Sequence, residues 1–516
     1  MAKGNGGNMA ANADVLDRTW LERMAARVPD PVVLFILMYA MLFLATVFAG
    51  GMTFRLPGVD PATGAATQIE RSILDMSETA NLQWIFDNAL VKNWLAYAHG
   101  LIGMLIVAML GIGTAEGSGL FSVLLKLAGR HVNERLLPYV IVFAGILSNV
   151  AADAGYIVLI PLAAALYCAM GRNPLVGVAA SFAGVSAGFG SNIIPATTSD
   201  LLIGIPTKDF ALSQGVPWLS RLGVPLNEAT MDYFYTCSLV FVFTFLGGWI
   251  TNRFVAPRLE KLSWRAPEDA GDSSFEVSRE ELRDLVWAGA GLVVALAVIA
   301  FFGLGPLKGH FARNVILFVS FAFFMAGLFY GVKRGKYRAA QDVVAAMTKQ
   351  VKDLAYMLVL TFFCFNFLAM LTYSGVGAYV TYSGVRAILA MNLESSPVLL
   401  LVAFIAMGSF VNLFVASLSA KWLMIGPIFI PMLYHVNQSL TPEVVCAAYR
   451  TSDPCTNIVT PVMTYAGVIL MFCRRYRPQF TIGDLALMMA PYAGIFLAVS
   501  TTIMIAWFKL GIPFGF

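Results

Sequence analysis

Two stretches of this chain set amides and hydroxyls at matched spacing inside apolar sequence. Gly145 precedes Asn149 by four residues and Ser191-Asn192 follows; Gly408 precedes Asn412 by four and Thr456-Asn457 follows. The two asparagines of each copy stand 43 residues apart in the first and 45 in the second. Such oxygens, placed at membrane depth by interrupted apolar segments, can replace water around a cation or a substrate amide. A repeated pattern of this kind marks the substrate and ion site of a secondary transporter. Taken singly, each Gly, Asn or Pro is equally a packing device between spans; matched repetition is what distinguishes the two. Asn149, Asn192, Asn412 and Asn457 are therefore candidate ligands, with Ser417 and Ser419 beside the second copy.

Charged side chains in apolar spans cost about 2.5–3.5 kcal/mol on insertion scales and are functional candidates by default. Arg450 and Asp453, three apart on one helix, are expected to pair, either structurally or within a site. Asp453 precedes Pro454 and lies four before Asn457, well placed to offer a carboxylate to a proton or cation. Asp200 is read as a second ion-coupling acid or as an interfacial one that snorkels, and Asp153 as a cation ligand or a helix cap. Trp422 is either an aromatic wall for a ring-bearing substrate or core, and Lys421 beside it is expected to snorkel. The oxygens near Asn149, Asn412 and Asp453 suit Na+, whereas Na+ and H+ remain equally open as the coupling ion. No thiol or imidazole cluster suits a transition metal, and no cofactor is expected.

The elements that must hold these groups are membrane spans. With 59% hydrophobic and 12% charged residues and a mean hydropathy of +0.75, 516 residues cannot cover themselves in water. The net charge of +4 lies in short loops, with no basic run interleaved with aromatics, so nucleic acid is not a partner. The six cysteines and four histidines are scattered, which argues against disulfides and zinc. Residues 1–30 are too long and polar for a signal peptide and are read as a cytoplasmic segment.

Basic loops on the cytoplasmic side then order the chain. Residues 31–252 form a first half, 253–283 a cytoplasmic loop, and 284–516 a second half. Spans are read at 31–50, 95–114, 232–252, 284–303, 314–332 and 484–508, with 51–92 an acidic outer loop and 333–352 a basic inner one. Residues 354–390 cross with a break near Ser374-Gly375. The stretches 137–170 and 398–434 are read as re-entrant hairpins, and 175–206 and 443–473 as broken spans, the first interrupted near Gly188, Gly190 and Pro195. The expectation is an all-α polytopic membrane protein of about nine transmembrane helices plus two hairpins in an inverted repeat, with a cytoplasmic N-terminus.

Phe143-Ala-Gly-Ile-Leu-Ser-Asn149, Ala183-Gly-Val-Ser-Ala-Gly188, Ser417-Leu-Ser-Ala-Lys-Trp422 and Ala447-Ala-Tyr-Arg-Thr-Ser-Asp453 through Thr456-Asn-Ile-Val-Thr-Pro461 resemble the p-aminobenzoyl-glutamate transporter (AbgT) family. The resemblance implies a bowl-shaped homodimer in the bacterial inner membrane. It would move p-aminobenzoyl-glutamate or sulfonamide antimetabolites, small anionic aromatic substrates, on an ion gradient. The family's functional positions match Asp200, Ser419, Trp422, Pro442, Arg450, Asp453 and Pro461; the prolines 442 and 461 are read as hinges or helix breaks. The chain departs from the pattern at Ala-Ala-Asp153-Ala-Gly.

A Na+-coupled carrier of dicarboxylates or other small organic anions would use the same inverted hairpins without needing Trp422. An enzyme or channel fits less well: there is no nucleophile with its base, no His/Glu metal motif and no filter sequence.

Overall fold

The computed structural model describes residues 30–59, 66–97, 101–129, 133–149, 155–266, 278–306, 315–460, 463 and 465–516. Asp153, Pro461 and nearly all of the 1–30 segment lie outside them. Twenty α-helices and one two-stranded hairpin are present among the described residues. In chain order they are α1 (Pro31–Ala49), β1 (Thr53–Val59), β2 (Ala66–Ser72), α2 (Thr79–Asn88), α3 (Leu101–Gly117), α4 (Leu120–Gly129), α5 (Leu137–Ser148), α6 (Ile160–Ala169), α7 (Pro174–Ala187), α8 (Thr198–Ser213), α9 (Tyr233–Ile250) and α10 (Ala256–Leu259). The second half holds α11 (Arg279–Leu304), α12 (Val315–Lys333), α13 (Ala340–Asp353), α14 (Ala355–Tyr373), α15 (Val376–Ala390), α16 (Pro397–Asn412), α17 (Leu418–Val436), α18 (Pro442–Asn457), α19 (Ala466–Tyr476) and α20 (Ile482–Leu510).

Six described helices are long and apolar enough to cross a membrane: Pro31–Ala49, Tyr233–Leu259, Arg279–Phe302, Ile316–Lys333, Ala355–Tyr373 and Ile482–Leu510. Helices α5, α7 and α16 are apolar but short, at the stretches whose sequence reads as hairpin arms and broken spans. Their polar ends stay buried because the helices stop against one another, which is how interrupted backbone survives at depth.

One unit recurs. In α5–α9, two short arms pack on α7, the chain breaks, and α8 and α9 follow; in α16–α20, the arms α16 and α17 pack on α18 before a break, α19 and α20. The units interlock reciprocally: α17 packs on α8, and α19 packs on α6 and α7. Tyr156, just before α6, stacks on Tyr465, just before α19, with centroids 4.7 Å apart and planes 10° from parallel. Outside this core, α3, α11 and α12 form a second bundle seated on small residues; a Cβ on Gly327 of α12 would lie 2.5 Å from the Ala115 Cα of α3. Val286, Val293 and Phe301 of α11 are 65–71% exposed, as expected of a face that meets lipid.

Three stretches add to or differ from the sequence reading. Residues 51–92 are not a plain acidic loop: β1 and β2 pair antiparallel, Thr53 opposite Ser72, and Trp84 of α2 stacks on Tyr373 at 3.9 Å. Residues 354–390 break at Ser374-Gly375 as expected, where Gly375 adopts φ +79° and a Cβ would meet the Ser72 carbonyl at 2.7 Å; what the sequence reading lacks is the β-hairpin docked in that break through Leu74 N–H donating to Ser374 O. The basic segment after α12 contains the amphipathic helix α13, packed on α3. Lys349 and Lys352 on it are exposed, and the stretch reads as a loop because its composition is rich in charged residues.

Candidate functional site

The Gly-x-x-x-Asn spacing has a direct structural cause. Residues four apart share a helix face, so the glycine lets each arm approach its broken span while the asparagine reaches the break. A Cβ on Gly145 would lie 2.8 Å from the Gly184 carbonyl carbon, and one on Gly408 2.7 Å from the Ser452 hydroxyl. Asn149 Nδ2 then donates to the carbonyl of Gly188, the residue that ends α7, at 2.6 Å, and to Ser199 Oγ at 3.3 Å. Asn412 Nδ2 donates to the carbonyl of Asp453 and to Thr456 Oγ1, both at 2.8 Å. Asn149 thus satisfies a carbonyl that the end of a helix leaves without a donor, and Asn412 adds a side-chain donor in the last turns of α18.

The two broken spans cross at their breaks. A Cβ on Gly190 would come within 2.6 Å of the Arg450 carbonyl and 2.5 Å of Pro454, and Ser186 Oγ donates to the Pro454 carbonyl at 3.2 Å. Pro454 inside α18 has no N–H for the Arg450 carbonyl four residues back, and that freed carbonyl faces Gly190. Beyond the first break, Pro195 and Ala196 make a tight turn with Ala196 at φ +60°. α8 then starts with the Asp200 carboxylate accepting from Thr197 N–H at 2.8 Å and from its hydroxyl at 2.9 Å.

Five charged side chains meet around this crossing, each at most 5% exposed. Arg450 does not pair with Asp453. Its Nη1 lies 2.7 Å from Asp200 Oδ1 and its Nε 2.9 Å from Asp232 Oδ2. Asp200 is therefore a buried counter-ion and not a snorkelling acid, with Asn192 Nδ2 adding a further hydrogen bond at 3.0 Å. Lys421 does not snorkel either: fully buried, its Nζ donates to Asp453 Oδ1 and to Asn412 Oδ1 at 2.6 Å. Asn457 Nδ2 holds the other Asp453 oxygen at 3.0 Å. The oxygens of Asn412 and Asp453 read as Na+ ligands are thus taken by an ammonium group in this conformation. Buried Asn149 Oδ1 and Asn457 Oδ1 have no hydrogen-bond partner among the described residues. With all five groups ionised, three carboxylates face two cations.

Trp422 is fully buried. Its indole N–H is shared between the Ile203 carbonyl at 3.1 Å and Thr207 Oγ1 at 3.0 Å on α8, and its ring lies 4.5 Å from that of Tyr449. In this conformation it fastens α17 to α8 and faces no open space. Ser417 caps α17 by accepting from Ala420 N–H at 3.3 Å, and Ser419 lies 3.9 Å from the Met357 sulfur; neither joins the charged cluster. Pro442 is the first residue of α18, where a fixed φ suits helix initiation, so it starts this span rather than breaking it.

A model of the AbgT transporter family matches residues 18–516. The chain belongs to the AbgT transporter family. It is similar to the p-aminobenzoyl-glutamate transport protein of Escherichia coli (strain K12), at 28% identity over 510 residues, 96% of this chain and 95% of that one. Among solved structures it superposes on the Alcanivorax borkumensis YdaH transporter, reported to have an unusual topology, with a TM-score of 0.82 and 31% identity over 94% of this chain and 100% of that chain. Neisseria gonorrhoeae MtrF, reported to illuminate a class of antimetabolite efflux pumps, superposes at 0.81 with 30% identity over 94% and 96%. This AbgT-family chain is a multi-pass membrane transporter and not an enzyme.

Sequence reasoning missed Asp232 in this AbgT protein. An acid immediately before an apolar span was the available signal, but it reads equally as a cap at the membrane surface. The hairpin tip gives a local test. Asn412→Ala removes the donor to Asp453 O and Thr456 Oγ1 and an acceptor of Lys421, all buried. It is expected to cost about 1–3 kcal/mol, read as a lowered thermal midpoint of the purified protein; an unchanged midpoint would show that the tip is held by other contacts.

Proposed function

We propose that this protein is an ion-gradient-driven secondary transporter of p-aminobenzoyl-glutamate, of sulfonamide-type antimetabolites, or of both, acting as a homodimer in the bacterial inner membrane with its N-terminus in the cytoplasm. The observation that carries this reading is Arg450, a guanidinium buried where two broken spans cross. An arginine is the side chain best suited to hold a carboxylate by paired hydrogen bonds, and the relatives are named for p-aminobenzoyl-glutamate, an anionic aromatic amide, and for antimetabolites. In the working cycle the substrate carboxylate or sulfonamide nitrogen takes a place on Arg450. The coupling ion, H+ or Na+, balances the carboxylates left around it. Release of the Trp422 contacts on α8 would let the second hairpin part from the first broken span and present the indole to the substrate ring.

The test is uptake and efflux of radiolabelled p-aminobenzoyl-glutamate in proteoliposomes with Na+ and proton gradients imposed separately. Transport driven by one gradient is expected, lost in Arg450→Ala and in Asp453→Ala proteins that still insert. Wild-type rates in both variants would remove the assignment. Competition by succinate without competition by p-aminobenzoyl-glutamate would move it to a dicarboxylate carrier.

A further inference from the structure

Arg450 has two carboxylate partners, and they are held very differently. Asp200 has Arg450 Nη1 beside it at 2.7 Å and accepts hydrogen bonds from Asn192 Nδ2 and from both the N–H and the hydroxyl of Thr197. Three hydrogen-bond donors and the guanidinium surround its two oxygens, which holds it in place as the fixed counter-ion of Arg450. Asp232, the residue just before α9, has Arg450 Nε at 2.9 Å and, from other side chains among the described residues, the weakly donating Cys446 thiol at 3.6 Å beside it. The titratable or charged groups that face Asp232 are thus Arg450 and Cys446 on α18 and Asp200 on α8, with Tyr235 one turn along its own helix. The neighbouring Lys421 is spent on Asp453. Of the three carboxylates in this cluster, Asp232 is the one in excess of the cations and the one whose second donor, a thiol, is the weakest.

We propose that Asp232 and the substrate carboxylate compete for the Arg450 guanidinium, so that a proton on Asp232 and an anion on Arg450 favour each other's binding. This rests on the reading of Arg450 as the anion anchor. When Asp232 is ionised it occupies Arg450 and excludes the anion. When it takes a proton it becomes neutral, the guanidinium keeps Asp200 and acquires the substrate carboxylate, and the net charge of the buried cluster is unchanged. Reciprocal linkage requires that substrate binding raise proton affinity by the same factor. Sites filled together travel together, so the geometry points to proton and anion moving in the same direction across the membrane.

Purified full-length protein is titrated with p-aminobenzoyl-glutamate across weakly acidic to alkaline pH, where the ligand's carboxylates stay ionised. Wild-type affinity is expected to weaken by about tenfold per pH unit on the alkaline side, as one proton per anion demands. Asp232→Asn is expected to bind at every pH with the wild-type acid-side affinity. Should that variant not insert, Asp232→Glu is expected to keep the slope and move its midpoint. A wild-type affinity that is flat or tightens as pH rises overturns the inference, as does a slope that survives Asp232→Asn and disappears in Asp453→Asn. A wild type that binds no p-aminobenzoyl-glutamate at any pH removes the functional reading instead. Benzoate, an aromatic carboxylate without the amide, then decides the inference in the same titration: a slope abolished by Asp232→Asn upholds it, and no slope overturns it.

Discussion

Replacing Lys421 with methionine is expected to destabilise the protein by about 3–5 kcal/mol, the usual effect of stranding one member of a buried ion pair. Lys421 and Asp453 are both fully buried, and the ammonium also holds Asn412 Oδ1, so its loss leaves a carboxylate and an amide oxygen without their main donor on one site. Asp453→Asn strands the ammonium in the same way. The double variant removes both charges and, since desolvation nearly offsets the attraction of such pairs, is expected to recover most of the loss. Thermal midpoints of the two singles and the double, compared as a cycle, check this. Single variants within about 1 kcal/mol of wild type would mean that the pair is not the fastening of the second hairpin. Transport separates the roles further: a stable double variant that still accumulates substrate makes the pair structural, and a stable but inactive one puts Asp453 in the coupling step.

The second large effect is expected at Gly190. A methyl group there would sit 2.6 Å from the Arg450 carbonyl and 2.5 Å from Pro454, both on a span whose surroundings are fully packed. The spans must separate, and overpacking of this kind costs about 1–3 kcal/mol. The functional loss is expected to be greater than the stability loss, because the displaced backbone carries the Arg450 guanidinium away from its positions 2.7 and 2.9 Å from two carboxylates. Gly190→Ala is therefore expected to insert, melt earlier and lose most transport. Gly494→Ala, in α20, is the control: a Cβ there meets nothing within 4 Å and helix propensity favours alanine by about 1 kcal/mol. Equal transport in the two variants would show that the crossing tolerates separation.

Much of the architecture was legible because short, interrupted apolar segments leave a mark that composition alone carries. Gly145 and Asn149, or Gly408 and Asn412, sit on one face by helical spacing, so their roles in approach and in reaching the break follow from local sequence. The charge pairing did not. Arg450 and Asp453 are one turn apart on α18, and helix geometry alone joins them; the fold instead brings Asp200 and Asp232 to one and Lys421 to the other, from helices remote in sequence. Lys421 read as a snorkelling side chain because its sequence neighbours are apolar, and nothing in them announces a carboxylate across the hairpin. The acidic loop 51–92 hid its strands for a similar reason: the docking partner at Ser374-Gly375 lies in another segment.

Trp422 gives the protein an optical gauge of its own working cycle. An indole sealed from water, with its N–H held by Ile203 and Thr207, emits at shorter wavelength than one in water. Separation of α17 from α8 breaks those bonds and admits solvent or a ligand ring, which changes colour and yield in step. Eight other tryptophans contribute to the emission, so the useful quantity is the difference between wild type and Trp422→Phe, followed in time after substrate is mixed in. The rate at which that difference develops is the rate at which the second hairpin leaves the first broken span, measured without attaching any label.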